Sequence, residues 1–145
     1  MFVIDWIRIS GDSMFPTLHN GETVLAEKIS ANSLSYGDII IVRYPNAKQC
    51  VKRVIGTDGD TIEISNGTVY LNGEVLNEPY LAEQMFGYMD KITVPENSVY
   101  VMGDNRNHSL DSRDPFVGAI PKENIVGKVF CVVFPLKQVR SVPYV

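Results

Sequence analysis

The sequence predicts a mostly β protein, and three observations carry that expectation. Apolar runs of strand length recur, Asn-Gly pairs punctuate short alternating segments, and helical periodicity is weak throughout. "MFVIDWIRI" opens the chain as a strand. It is far shorter than the roughly 20 residues needed to span a hydrocarbon core, and it carries Asp5 and Arg8. It also lacks the basic start and small-residue cleavage site of a secretory signal. "GDIIIVRY" is a continuous apolar strand bounded by Gly37-Asp38 and Pro45, and "CVKRVIG" alternates less cleanly but is rich in β-branched residues. In "TIEISNGTVYLNGEVL" the pairs Asn66-Gly67 and Asn72-Gly73 supply the positive-φ residues of type I′ turns, which predicts a three-stranded meander. Asn66-Gly67-Thr68 is also a glycosylation sequon, but the turn accounts for it. "SVYVMGDN" and "GKVFCVVFP" add two more strands. Short helical turns are expected near Ser33–Tyr36 and Lys122–Asn124, and a small, less regular lobe over residues 77 to about 97.

The 145 residues suggest one domain across 1–145. Apolar content of 45% and charged content of 21% are ordinary for a globular chain. A formal net charge of -4 without a basic cluster gives no reason to expect nucleic acid. Cys50 and Cys131 fit no metal or redox spacing, and two buried free thiols in strands is a plainer reading than a disulfide. His19 and His108 lack the neighbours a zinc site needs, so no metal and no cofactor is expected.

The chemistry centres on "RISGDSMFPTL", Arg8 to Leu18, where Ser13 sits in a bend after an apolar strand and before a proline. Such a serine is a turn residue or a nucleophile, and a nucleophile needs a base to take its proton. The histidines have no obvious orienting acid, which leaves a lysine, a known partner of catalytic serine. Lys52 lies in the apolar strand "CVKRVIG", where burial disfavours its charge. At the ordinary lysine pKa about one amine in a thousand is neutral near pH 7.4; lowering it by about 3 makes half of them neutral, at ~4 kcal/mol. Arg53 should point to the opposite face of that strand, as a surface or salt-bridge residue. The third segment, "GDNRNHSLDSRDPFVG", collects Asp104, Arg106, Asp111, Arg113 and Asp114 with several hydroxyls. It reads either as a polar loop stitched by local turns or as a scaffold that braces a site. A calcium loop of the EF-hand kind would need a glycine and a final glutamate that are missing.

Taken together, "SGDSMFPTL", "GDIIIVRY", "VKRVIGTDGD" and "GDNRNHSLDSR" resemble the successive boxes of the bacterial type I signal peptidases, in order, from Ile9 to about Gly127. The Gly11-Asp12 version before the serine is similar to Gram-positive members. The resemblance implies an antiparallel β fold of several small sheets with a smaller inserted lobe. It implies a serine endopeptidase that removes signal peptides from exported preproteins, with Ser13 as nucleophile and Lys52 as general base. Ser109 would orient the lysine amine, Asp111 and Arg113 would brace the site, and Asp104 and Arg106 would support it. The backbone N–H of Ser13 would stabilise the oxyanion. Some family members add a hydroxyl where this chain has Gly11, so the second donor is left open. The substrate would add as a strand between Ile7–Ser10 and Gln49–Val51, with small A-x-A residues in shallow pockets lined by Ile9, Met14, Leu18 and Val51. By the same resemblance the protein works at the outer face of the bacterial plasma membrane, on signal peptides and against lipid. The family's usual transmembrane anchor would be absent from this chain. Phe2, Ile4, Trp6 and Phe134-Pro135-Leu136 form either a membrane-facing apolar patch or ordinary core.

Two rivals share these features. Self-cleaving repressor proteases carry a Ser-Lys pair and a similar serine box. They usually have a DNA-binding helical domain for which there is no room here, and their closing segment differs. A non-catalytic chaperone with this fold would hold an extended peptide without cutting it; loss of Ser13 or Lys52 would favour that, and both are present.

Overall fold

A computed structural model describes residues 3–142. The strands in chain order are β1 (Ile4–Arg8), β2 (Thr23–Glu27), β3 (Ile39–Arg43), β4 (Gln49–Gly56), β5 (Thr61–Ser65) and β6 (Thr68–Leu71). They continue with β7 (Glu74–Val75), β8 (Met89–Thr93), β9 (Ser98–Met102), β10 (Ile120–Pro121), β11 (Ile125–Phe134) and β12 (Arg140–Ser141). Instead of several small sheets, they form one eight-stranded sheet in the order β1-β2-β11-β3-β4-β9-β10, with β12 on β11, and one four-stranded sheet in the order β7-β6-β5-β8. Every pairing is antiparallel. Among the described residues no helix is long and apolar enough to cross a membrane.

β3 reads as an unbroken apolar run because both of its faces are covered. Ile39 and Ile41 pack with Ile9, Met14, Val24 and Val51 on one side, while Ile40 and Val42 pack with Tyr44, Val54 and Val101 on the other. The meander forms at the two Asn-Gly pairs, with φ of 48° and 77° at Asn66 and Gly67, and 54° and 83° at Asn72 and Gly73. Gly67 has a second reason to be glycine: a Cβ there would lie 2.0 Å from the Met85 carbonyl oxygen. The small sheet docks on the large one through a shared core of Ile55, Ile62, Val69, Met85 and Met102.

Several local expectations shift. A 3₁₀ turn occupies Lys122–Asn124, but the earlier one sits at Ala31–Ser33 rather than at Ser33–Tyr36. The 77–97 stretch is irregular at its start, yet it contains β8, which pairs with β5. β2 went unread from the sequence because "TVLAE" is short and mixed. It becomes a strand because β1 and β11 flank it on both sides. Cys50 and Cys131 are free and partly buried. Phe2 lies outside the described residues.

Candidate active site

Ser13 sits in a turn held from both ends. The Phe15 N–H donates to the Asp12 carbonyl at 3.1 Å, the Leu18 N–H to the Met14 carbonyl at 3.0 Å, and the buried Met14 side chain anchors the bend. Gly11 enters it at φ 93°, its N–H donating to Asn20 Oδ1 at 2.9 Å. From the far loop, the Asn105 N–H donates to the Ser13 carbonyl at 2.9 Å and Asn105 Nδ2 to the Asp12 carbonyl at 3.0 Å. Among the described residues, the Ser13 N–H takes no hydrogen-bond partner.

Lys52, from the middle of β4, is 4% exposed, and its Nζ lies 2.8 Å from Ser13 Oγ. Burial pushes its pKa down; Cys50 and Asp111 pull it back up, and Lys48 adds to the fall. A buried amine at that distance can exchange the hydrogen bond's sense, accepting the serine proton once it is neutral.

Arg53, the next residue, is neither exposed nor idle. It is buried on the opposite face of β4 and grips Asp104 with two bonds, Nε to Oδ1 at 2.8 Å and Nη2 to Oδ2 at 2.7 Å. The strand alternation was as expected, but that face is covered too, so the guanidinium is a buried strut and not a surface group. Asp104 also accepts from the Thr17 hydroxyl at 2.5 Å, which ties the serine turn to the same pair.

The loop after β9 folds around Asp111. Its Oδ2 accepts from the Gly103 N–H at 2.9 Å, from Ser109 Oγ at 2.8 Å and from Arg113 Nη2 at 2.8 Å; Oδ1 accepts from Arg113 Nε at 2.8 Å. Ser109 was expected to orient the lysine amine. Its hydroxyl is committed to Asp111, and the amine's hydrogen bond is to Ser13. Arg106 donates from Nε to the Gly103 carbonyl at 2.9 Å and pairs with Glu78.

A cleft of about 370 Å³ runs beside the pair, between the chain from Ile7 to Asp12 and the turn from Asn46 to Lys52. Ile9, Met14 and Val51 line it. Leu18 does not: it is 0% exposed and packs in the core with Met14 and Val24. The cleft has two free strand edges. Among the described residues, β1 pairs only with β2, and β4 meets β9 only from Arg53 onward, leaving Gln49–Lys52 open on that side. Sequence reasoning missed Thr17, Asn105, Glu78 and Tyr80. Each is an ordinary polar residue until the fold places it against the loop, and no local signal marks it.

Residues 1–134 match the family model described as signal peptidase, peptidase S26. The chain is 38% identical to a signal peptidase I of Bacillus amyloliquefaciens, over 97% of this chain and 79% of that protein. It is 36% identical to signal peptidase I T of Bacillus subtilis (strain 168), with the same shares of the two chains covered. A signal peptidase I crystal structure from Enterococcus faecalis V583 superposes with a TM-score of 0.60 at 32% identity, covering 68% of this chain and 98% of that one. The fold and these relatives define a hydrolase of the peptidase class. The chain belongs to the signal peptidase family, peptidase S26.

Proposed function

We propose that this peptidase removes signal peptides from exported preproteins after an A-x-A site, with Ser13 as nucleophile and Lys52 as general base. The observation that carries the reading is the 2.8 Å approach of a buried lysine amine to a serine hydroxyl at the floor of an open-edged cleft. Ser13 Oγ attacks the scissile carbonyl as its proton passes to neutral Lys52 Nζ, and the free Ser13 N–H stabilises the oxyanion. Lys52 returns the proton to the leaving amine, then activates the water that hydrolyses the acyl-enzyme. Asp111, Arg113 and Ser109 keep the loop folded behind the pair, while Asp104 and Arg106 hold it to β4 and the lobe. The substrate pairs as a strand between the two open edges, where residues two apart face the same wall, lined by Ile9, Met14 and Val51 and taking the small side chains of the A-x-A site.

The same reading places the protein against lipid at the outer face of the plasma membrane. Trp6, Leu25 and Cys131 align across β1, β2 and β11, with Ile4 and Phe134 in the adjoining rows. Trp6 is 68% and Leu136 82% exposed, an arrangement suited to a membrane interface.

The deciding experiment is cleavage of an exported precursor in detergent, with the new amino terminus sequenced. A single cut after the A-x-A motif, lost when the residue before the cut becomes leucine, is expected. A precursor left whole, or cut without regard to that residue, would remove this substrate assignment.

The pH profile follows from burial. Lys52 works as a base only when neutral, so kcat/KM should rise with pH through its lowered pKa and level off below the ordinary lysine value of 10.5. The sign for stability is the same. Between the lowered folded value and 10.5 the unfolded chain binds a proton that the folded chain does not, so stability rises with pH across that window. Melting temperatures of the parent should therefore gain on those of Lys52→Met as pH approaches 10.5; parallel curves would deny the shift.

A further inference from the structure

We propose that Glu78 and Tyr80 are positioning residues for cleavage, the Glu78-Pro79-Tyr80 segment of the lobe holding both the serine turn and the lysine strand through two buried arginines. The inference rests on the Ser13–Lys52 reading above.

Neither residue lines the cleft. Glu78 instead faces Arg106, accepting from Nη1 at 3.0 Å and from Nη2, with its side chain 7% exposed. Arg106 in turn holds the Gly103 carbonyl at 2.9 Å, and its own carbonyl accepts from Arg113 Nη2 at 2.9 Å. Gly103, with Asn105, is where the loop touches the serine. The Gly103 Cα is so close to the Ser13 carbonyl that a Cβ would lie 2.5 Å from it. The first arm therefore runs Glu78, Arg106, Gly103, Ser13.

The second arm starts from the aromatic ring. Tyr80 lies over the Arg53 guanidinium with 3.9 Å from carbon to ring centroid, a cation–π contact in a desolvated setting. Arg53 follows Lys52 in β4 and grips Asp104, which accepts from Thr17. The Tyr80 hydroxyl joins the arms, donating to Glu78 at 2.5 Å and accepting from Arg106 Nη2 at 3.3 Å. Among the described residues, Glu78 is the ion-pair partner of Arg106, and that arginine is 3% exposed. Without the carboxylate charge a buried guanidinium is left uncompensated and moves toward water, releasing the Gly103 carbonyl. A displacement of about 1 Å in such a chain is enough to cost on the order of 10²-fold in rate.

The test measures kcat and KM on an A-x-A peptide, with the competent fraction set by titrating Ser13 with an acylating probe. Glu78→Gln and Tyr80→Ala should each lower kcat about 10-fold or more with KM within about twofold, because the cleft wall is untouched. Tyr80→Phe keeps the ring on Arg53 and should stay within about threefold of the parent. Val69→Ala, in the core of the small sheet, lowers the melting temperature by another route and should leave kcat per competent enzyme unchanged. Should Glu78→Gln fail to fold, Tyr80→Ala against Tyr80→Phe reads the second arm alone. Parent-like kcat in Glu78→Gln and Tyr80→Ala, a loss confined to KM, or an equal kcat loss in Val69→Ala would overturn the proposal. Activity retained in Ser13→Ala would instead defeat the underlying dyad reading.

Discussion

Replacing Lys52 with methionine should leave a folded protein that no longer turns over substrate, with kcat down by about 10⁴–10⁶-fold. Methionine fills a similar volume in β4 and carries no charge, so the buried site loses its desolvation cost and the variant should melt no lower than the parent. What it cannot do is accept the Ser13 proton. Ser13→Ala should fall to the same residual level, and the double variant no further, because two groups that act in one proton transfer are lost together. The measurement is single-turnover cleavage of an A-x-A peptide by each single and the double variant. Substantial activity in folded Lys52→Met would assign the base elsewhere, and additive losses would separate the two residues into independent roles.

Gly103→Ala should be the most damaging change away from the dyad. Its φ is not in the left-handed region, so the need for glycine is one of space alone. A Cβ would stand 2.2 Å from Ser109 Oγ and 2.5 Å from the Ser13 carbonyl oxygen. The Ser109 hydroxyl can rotate only by giving up Asp111, and the Ser13 carbonyl is backbone, already taken by the Asn105 N–H. The loop and the serine turn must therefore part. We expect a kcat loss of about 10²-fold or more, from displacement of Ser13 relative to Lys52, with about 1–3 kcal/mol of destabilisation from overpacking. Urea unfolding and single-turnover kinetics on the same preparation separate the two effects. An alanine variant with parent-like kcat would mean the loop yields without moving the serine.

The parts of this molecule legible in its sequence are those that short-range chemistry dictates. The Asn-Gly pairs need positive φ at both residues and take it, so the meander forms where it was expected. The apolar run of β3 is read from composition because a strand covered on both faces has no polar side to show. The four boxes, once seen together, name the family, and Ser13 and Lys52 stand out within them.

Other features depended on partners far along the chain. "TVLAE" and "MDKIT" have weak strand patterns, and pairing with distant neighbours makes them β2 and β8. Arg53 was expected as a surface or salt-bridge residue; the ion pair is there, but Asp104 and Tyr80 make it a buried one. Leu18, expected at the pocket wall, is drawn into the core by the turn that presents Ser13. By itself, then, the sequence determined the turns, the buried strands and the residue types available for chemistry, because dihedral preference and alternation act within a few neighbours. Only the tertiary structure decided that Lys52 meets Ser13 across 39 residues of chain, and that Glu78 and Tyr80 stand behind them. Strand order and burial are set by contacts between distant segments, and no local pattern encodes those.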